Sequence, residues 1–175
     1  MIINSIGTFM SEIVVYPGTF DPITNGHLSI IKRASKMFDH IIIAVADNYK
    51  KVPLFTSSER KAMAKDVIVQ LGYDQQISVE TFSGLLSDFL EQHNAHIILR
   101  GLRTAKDFDY EIQMSHINHK LNDTIESIFL MAREPHTCIS SSWVKELARL
   151  GADLHHFVPA MVAKKVTEKL VAGDG

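Results

Sequence analysis

The chain has 175 residues, 46% of them hydrophobic and 22% charged, which suits one domain with a sizeable core. A formal net charge of −2 and a pI near 6.5 leave no overall basic field, so nucleic acid is not an expected partner. A single cysteine, Cys138, rules out an internal disulfide framework and fits a reducing cytosol, while no membrane-spanning run and no secretory signal are expected.

Residues 1–9 precede an internal Met10 and read as an upstream start or a cloning remnant, which leaves 10–171 as the expected domain. The β-branched run Ile13-Val14-Val15-Tyr16 predicts a strand over 12–16, stopped by Pro17-Gly18. A polar loop from Thr19 to Gly26 follows, and the spacing of Leu28, Ile30, Ile31, Ala34, Met37 and Phe38 predicts a helix over 26–38. His27 therefore falls in the first turn of that helix. Unpaired N–H groups and partial positive charge make such a terminus a natural seat for phosphate, and a histidine adds a side-chain donor. Turn chemistry alone also places Gly, Pro and Thr in such loops.

The continuous apolar run over 40–46 predicts a strand buried on both faces. Thr56-Ser57-Ser58-Glu59 is a capping box that opens a helix over 57–71, with Gly72 at its C-terminus. Further strands are predicted over 77–81, 96–100 and 127–131, and further helices over 85–93, 106–121, 141–150 and 160–170, with Gly151 closing the helix before it. This alternation predicts a single-domain α/β fold, a doubly wound parallel sheet of about five strands. In such sheets ligands bind beyond the carboxyl ends of the strands, where the strand order reverses.

The loops at that edge share one chemistry. Lys50 and Lys51 follow the second strand, Arg100-Gly101-Leu102-Arg103 ends the fourth, and Ile139-Ser140-Ser141-Ser142 opens the helix after the fifth. Each has a plainer reading: a solvated lysine pair, a strand-end arginine, a serine cap. Together they gather the cations, hydroxyls and helix N-termini that a polyphosphate and a second phosphorylated substrate require. No Gly-Lys-Ser/Thr ending marks a P-loop, and no Gly-x-Gly-x-x-Gly fingerprint is present. His93 with His96 and His116 with His119 have spacings open to metal but lack partner ligands in the sequence. Asp47 fits a turn or a Mg²⁺ contact, Asp21 fits a cap on its own loop, Cys138 fits a small buried residue, and Trp143 fits packing.

The string YPGTFDPITNGH, the lysine before Pro53-Leu54-Phe55, RGLR, Asp107-Phe108-Asp109-Tyr110-Glu111 and ISSSWVKE together resemble the bacterial phosphopantetheine adenylyltransferase branch of the nucleotidyltransferases. The resemblance runs from Ile13 to about Leu170 and implies a Rossmann-like fold. It implies transfer of the AMP of ATP to 4′-phosphopantetheine with Mg²⁺, giving dephospho-coenzyme A and pyrophosphate. His27, Lys51 and Arg100 carry over as the catalytic set, His27 stabilising the transition state and the other two anchoring the attacking phosphate. Thr19 and Phe20 contact ATP, and Thr19 and Leu86 join Lys51 and Arg100 around the acceptor substrate. Gly101, Leu102, Arg103, Glu111, His136, Thr137, Cys138, Ile139, Ser140, Ser141 and Ser142 fall on the ATP side. No protein ligand to the metal is implied. Leu86 stands where the family often has methionine, and His136-Thr137-Cys138 departs from its aromatic-containing segment. The family is typically a cytoplasmic homohexamer, so the helices over 106–121 and 160–170 are expected to bury faces against other subunits, and coenzyme A is a candidate feedback ligand. A sister enzyme acting on nicotinamide mononucleotide or a small phosphate ester, a nucleotide-binding regulatory module without catalysis, and a phosphate-free α/β interaction domain are the alternatives.

Overall fold

The computed structural model describes residues 12–47, 53–137 and 139–173. The expectations placed on residues 1–9, Lys50, Lys51 and Cys138 lie outside the described residues. In chain order the elements are β1 (Ile13–Gly18), α1 (Asn25–Ala34), β2 (His40–Ala46), α2 (Ser57–Gln70), β3 (Ile77–Phe82), α3 (Leu86–Gln92), β4 (Ile97–Leu102), α4 (Ala105–Leu121), β5 (Glu126–Met131), α5 (Ser141–Arg149) and α6 (Ala160–Gly173).

The five strands form one parallel sheet in the order β3-β2-β1-β4-β5. The order reverses at β1, so the doubly wound α/β expectation holds. Alternation along the strands divides the core. Val14, Tyr16, Ile41, Ile43, Val45 and Leu99 face a large cluster shared with α1, α2, α5 and α6, whereas Val15, Ile42, Ala44 and Ile98 face a smaller one built with Phe89 and Leu90 of α3.

Among the boundaries that differ from the sequence reading, two have a visible cause. β1 continues through Pro17, which pairs in register with Ala44 of β2. A proline is tolerated there because its carbonyl, and so its missing N–H, faces the β4 side, where Arg100 Nη1 reaches the Pro17 oxygen at 3.4 Å. The β1–β4 ladder has already ended at Val15↔Ile98, so no ladder bond is lost. Helix α1 stops at Ala34 rather than Phe38. The Gln76 side chain donates to the carbonyls of Ser35 and Phe38 at 2.7 and 2.8 Å, a partner 38 or more residues away that local spacing does not reveal.

Candidate active site

Because β1 and β4 part after Val15 and Ile98, a cleft opens at their carboxyl ends. It widens into a cavity of about 640 Å³. The β1–α1 loop forms one wall, the end of β4 and Glu111 of α4 another, and the segment leading into α5 a third.

Two helix N-termini open onto this cavity side by side. A Cβ on Gly26 of α1 would lie 3.6 Å from the carbonyl oxygen of Ile139, just ahead of α5. Ser141 Oγ donates to the Pro22 carbonyl at 2.8 Å and holds the two termini together. Ser140 caps α5 by accepting from Trp143 N at 3.1 Å, so the cap reading of the serines holds for that residue. No acceptor among the described residues takes the N–H groups of Gly26, Ser141 and Ser142. Together with the helix dipoles they form a seat for anionic oxygens.

His27 completes a capping box with Thr24. Its backbone N donates to Thr24 Oγ1 at 3.3 Å, and Thr24 N donates to its Nδ1 at 3.0 Å. A backbone N–H only donates, so Nδ1 carries a lone pair and the ring proton of the neutral form sits on Nε2. Burial, then the Arg103 guanidinium, pushes the imidazole down to about 4. At neutral pH the cavity thus holds an uncharged imidazole whose free ring position is a donor. Phe20 stands against it, ring centroids 5.0 Å apart, with its backbone in the left-handed region at φ 48. Gly18 makes that packing possible, since a Cβ there would lie 2.9 Å from the Phe20 ring.

The cations arrive with carboxylate partners. Arg100 Nε lies 3.2 Å from Glu111 Oε2, Arg103 Nε lies 3.1 Å from Asp107 Oδ2, and Lys145 Nζ lies 2.6 Å from Asp21 Oδ2. Arg103 also reaches the Ile139 carbonyl at 3.4 Å, which ties β4 to the approach to α5. The Arg100–Glu111 contact is an ion pair without hydrogen-bond geometry, and buried Glu111 Oε2 and His136 Nδ1 make no hydrogen bond. Both residues line the cavity, with these two atoms just beneath its surface.

The structure therefore gathers Thr19, Phe20, His27, Arg100, Gly101, Arg103, Glu111, His136, Ile139, Ser140, Ser141 and Ser142 on one wall system. It does not bring Leu86 there: that side chain sits at the start of α3 against the smaller core cluster. Leu102 is buried and Thr137 lies off the cavity wall. Asp21 does not cap its own loop. It is 2% exposed and accepts from Leu54 N and Phe55 N, both at 3.0 Å, besides holding Lys145. Trp143 is 61% exposed, which corrects its assignment to packing. Asp47 accepts from Ser57 Oγ at 3.2 Å, while His93 pairs with Glu80, His96 with Thr124 and His119 with the Ile125 carbonyl.

Sequence reasoning missed Arg60. It is 1% exposed and donates to the carbonyls of Thr19, Ala46 and Phe55 at 2.6, 2.9 and 3.0 Å, lashing the β1–α1 loop to the end of β2. Burial lowers the guanidinium's affinity for its proton, while Asp21 and Asp47 act in the opposite direction. An arginine inside an amphipathic helix reads as solvated, and only its position among otherwise apolar inward-facing residues hints at this role. Tyr16, Thr24, Gly26 and Lys145 also line the cavity without having been assigned a role.

Comparison with known proteins accords with this architecture. A model of the cytidylyltransferase-like family matches residues 15–147, and the chain belongs to that family. Among solved structures it is similar to a protein of Vibrio parahaemolyticus provisionally assigned as a nicotinate-nucleotide adenylyltransferase. The two share 15% sequence identity over 93% of each chain, with a TM-score of 0.64.

Proposed function

We propose that the protein transfers AMP from ATP to 4′-phosphopantetheine, giving dephospho-coenzyme A and pyrophosphate by direct in-line displacement. The observation that carries the reading is the convergence of two helix N-termini, two guanidinium groups and a neutral imidazole on one cavity. A phosphate nucleophile is already ionised at neutral pH, so no general base is needed. What the chain must supply is alignment of two anions and stabilisation of charge on the α-phosphoryl group. In this scheme Arg100 holds the attacking phosphate. His27 Nε2 and the α1 terminus bind α-phosphoryl oxygens, and Arg103 with the serines ahead of α5 takes the departing pyrophosphate. The acceptor rests on the motif resemblance, which favours phosphopantetheine over the nicotinate nucleotide named for the Vibrio protein.

Mg²⁺ suits this donor set as an ion held mainly by the triphosphate. Asp21 is spent on two amides and Lys145, Glu111 alone keeps an unbonded carboxylate oxygen on the wall, and no cluster of three metal-ligating residues occurs among the described residues. When bound, the ion neutralises phosphate oxygens and the charge on the leaving group. On the same reading the enzyme is a cytoplasmic homohexamer with coenzyme A as a feedback ligand. No helix among the described residues is long and apolar enough to cross a membrane.

The test is pyrophosphate release from Mg-ATP with 4′-phosphopantetheine, with nicotinate mononucleotide and nicotinamide mononucleotide in parallel, and with no acceptor. Release with phosphopantetheine alone is the expected result. Release with a mononucleotide instead moves the enzyme to a sister activity, and no release with any acceptor from folded protein removes the catalytic reading.

A further inference from the structure

Tyr16 is a cavity group that the reaction outlined above leaves unused. It lies in β1 and is 6% exposed, yet it lines the cavity. Its ring stands edge-on to Phe20, with centroids 5.4 Å apart, and to His27, with centroids 6.4 Å apart, which fixes where the hydroxyl points. A Cβ on Gly101 would lie 3.4 Å from the hydroxyl oxygen, so that oxygen rests over the end of β4, between Arg100 and Arg103 in the chain. The hydroxyl makes no hydrogen bond to any described residue.

A hydroxyl on a buried ring that opens onto a ligand cavity without a protein partner has its partner in the ligand. The polarity of that bond follows from the neighbours. Arg100 and Arg103 act on the phenol in one direction and Glu111 in the other, and the ligand that settles between the two guanidinium groups is an anion, which a protonated phenol meets as a donor. Burial meanwhile raises the phenol well above its ordinary value, so it remains a donor at every working pH.

We infer that Tyr16 is a substrate-contacting residue whose hydroxyl donates a hydrogen bond to a phosphoryl oxygen of the bound ligand. The inference rests on the adenylyl-transfer reading for the identity of the ligand, and the phosphoryl group belongs either to the acceptor or to the α position of ATP.

Tyr16→Phe removes one oxygen and keeps the ring contacts, so the fold is retained. Wild type and variant are titrated calorimetrically with 4′-phosphopantetheine and, separately, with magnesium α,β-methylene-ATP, and both are assayed for pyrophosphate release. The expected result is a rise of about ten- to hundredfold in the dissociation constant of one ligand, the range for losing a hydrogen bond to a charged group, with the other within about twofold. Whichever constant moves names the source of the phosphoryl group. A fall of the same size in kcat with both constants unmoved places the contact on the transferring phosphoryl group. Unchanged constants with unchanged turnover overturn the inference, and turnover by the wild type then leaves the adenylyl-transfer reading standing. Wild type that binds the ATP analogue more tightly than Tyr16→Phe but turns over no acceptor retains the contact and loses the reading. Failure of the wild type to bind either ligand overturns both.

Discussion

His27 performs two jobs with two nitrogens, and substitution separates them. His27→Ala deletes both the Nδ1 acceptor and the Nε2 donor. The loss of one donor aimed at developing charge lowers kcat by about 10²–10³, with little change in KM. Loss of the acceptor strands the Thr24 N–H and costs about 1 kcal/mol, a fall in Tm of about 2–4 °C for a chain of this size. His27→Gln keeps a side-chain acceptor at the third helical position, where glutamine completes a capping box, so it recovers the stability. Its carboxamide, committed to Thr24, does not reach the Nε2 position and kcat stays low. The pH dependence has a worked sign. The folded imidazole titrates near 4 and the unfolded one near 6.5, so between those values the unfolded chain binds more protons. Stability is full above 6.5 and declines as pH falls toward 4, by at most about 3 kcal/mol, and that slope is absent from His27→Gln. The assay is pyrophosphate release at saturating substrates, paired with calorimetric melting at several pH values. A loss confined to KM, or restoration of kcat by glutamine, refutes the reasoning.

Three further substitutions probe the surrounding frame. Gly18→Ala places a methyl group 2.9 Å from the Phe20 ring, which has no relaxed alternative at its positive φ, and costs about 1–3 kcal/mol. Melting at the wild-type temperature refutes that. Arg60→Met leaves three carbonyls without their donor and costs about 3 kcal/mol or more, read from the denaturant midpoint at unchanged m-value. An unshifted midpoint shows the lashing to be dispensable. Arg100→Ala raises the KM for the phosphorylated acceptor more than that for ATP, and equal rises count against its placement on the acceptor.

The fold was legible because its signals are local and mutually consistent. Apolar strand runs, the Thr56–Glu59 capping box and the glycines after α2 and α5 act within a few residues, and Gly72 and Gly151 do adopt φ 73 and φ 75. The cavity was legible through the rule that places ligands at strand carboxyl ends, which needs only the strand order. What the sequence could not reveal are partners distant in the chain. Asp21 caps amides 33 and 34 residues away, Arg60 reaches Thr19 across 41, and Lys145 pairs across 124. Leu86 illustrates the opposite limit: its motif position suggested the acceptor pocket, but the first residue of α3 packs onto the far face of the sheet.

The pairing of the cavity cations among the described residues bears on how this site attracts phosphate. Arg100, Arg103 and Lys145 stand against Glu111, Asp107 and Asp21, so their formal charges sum to zero. Net charge at these positions is therefore not the attraction. The carboxylates instead fix the guanidinium forks, each with five donors of which the protein uses some, while free amides at two helix ends supply oriented partial charge. Recognition by fixed dipoles and forks is short-ranged, and it depends less on ionic strength than a bare basic patch would. Arg103 has a second consequence, because it is the charge that acts on His27. Burial is the larger cause of the depressed imidazole pKa and Arg103 the smaller, so removing the arginine alone does not bring the imidazole back to its ordinary value. The uncharged state is built mainly from packing, with the guanidinium reinforcing it, and the Thr24 amide, which requires an unprotonated Nδ1, selects the tautomer.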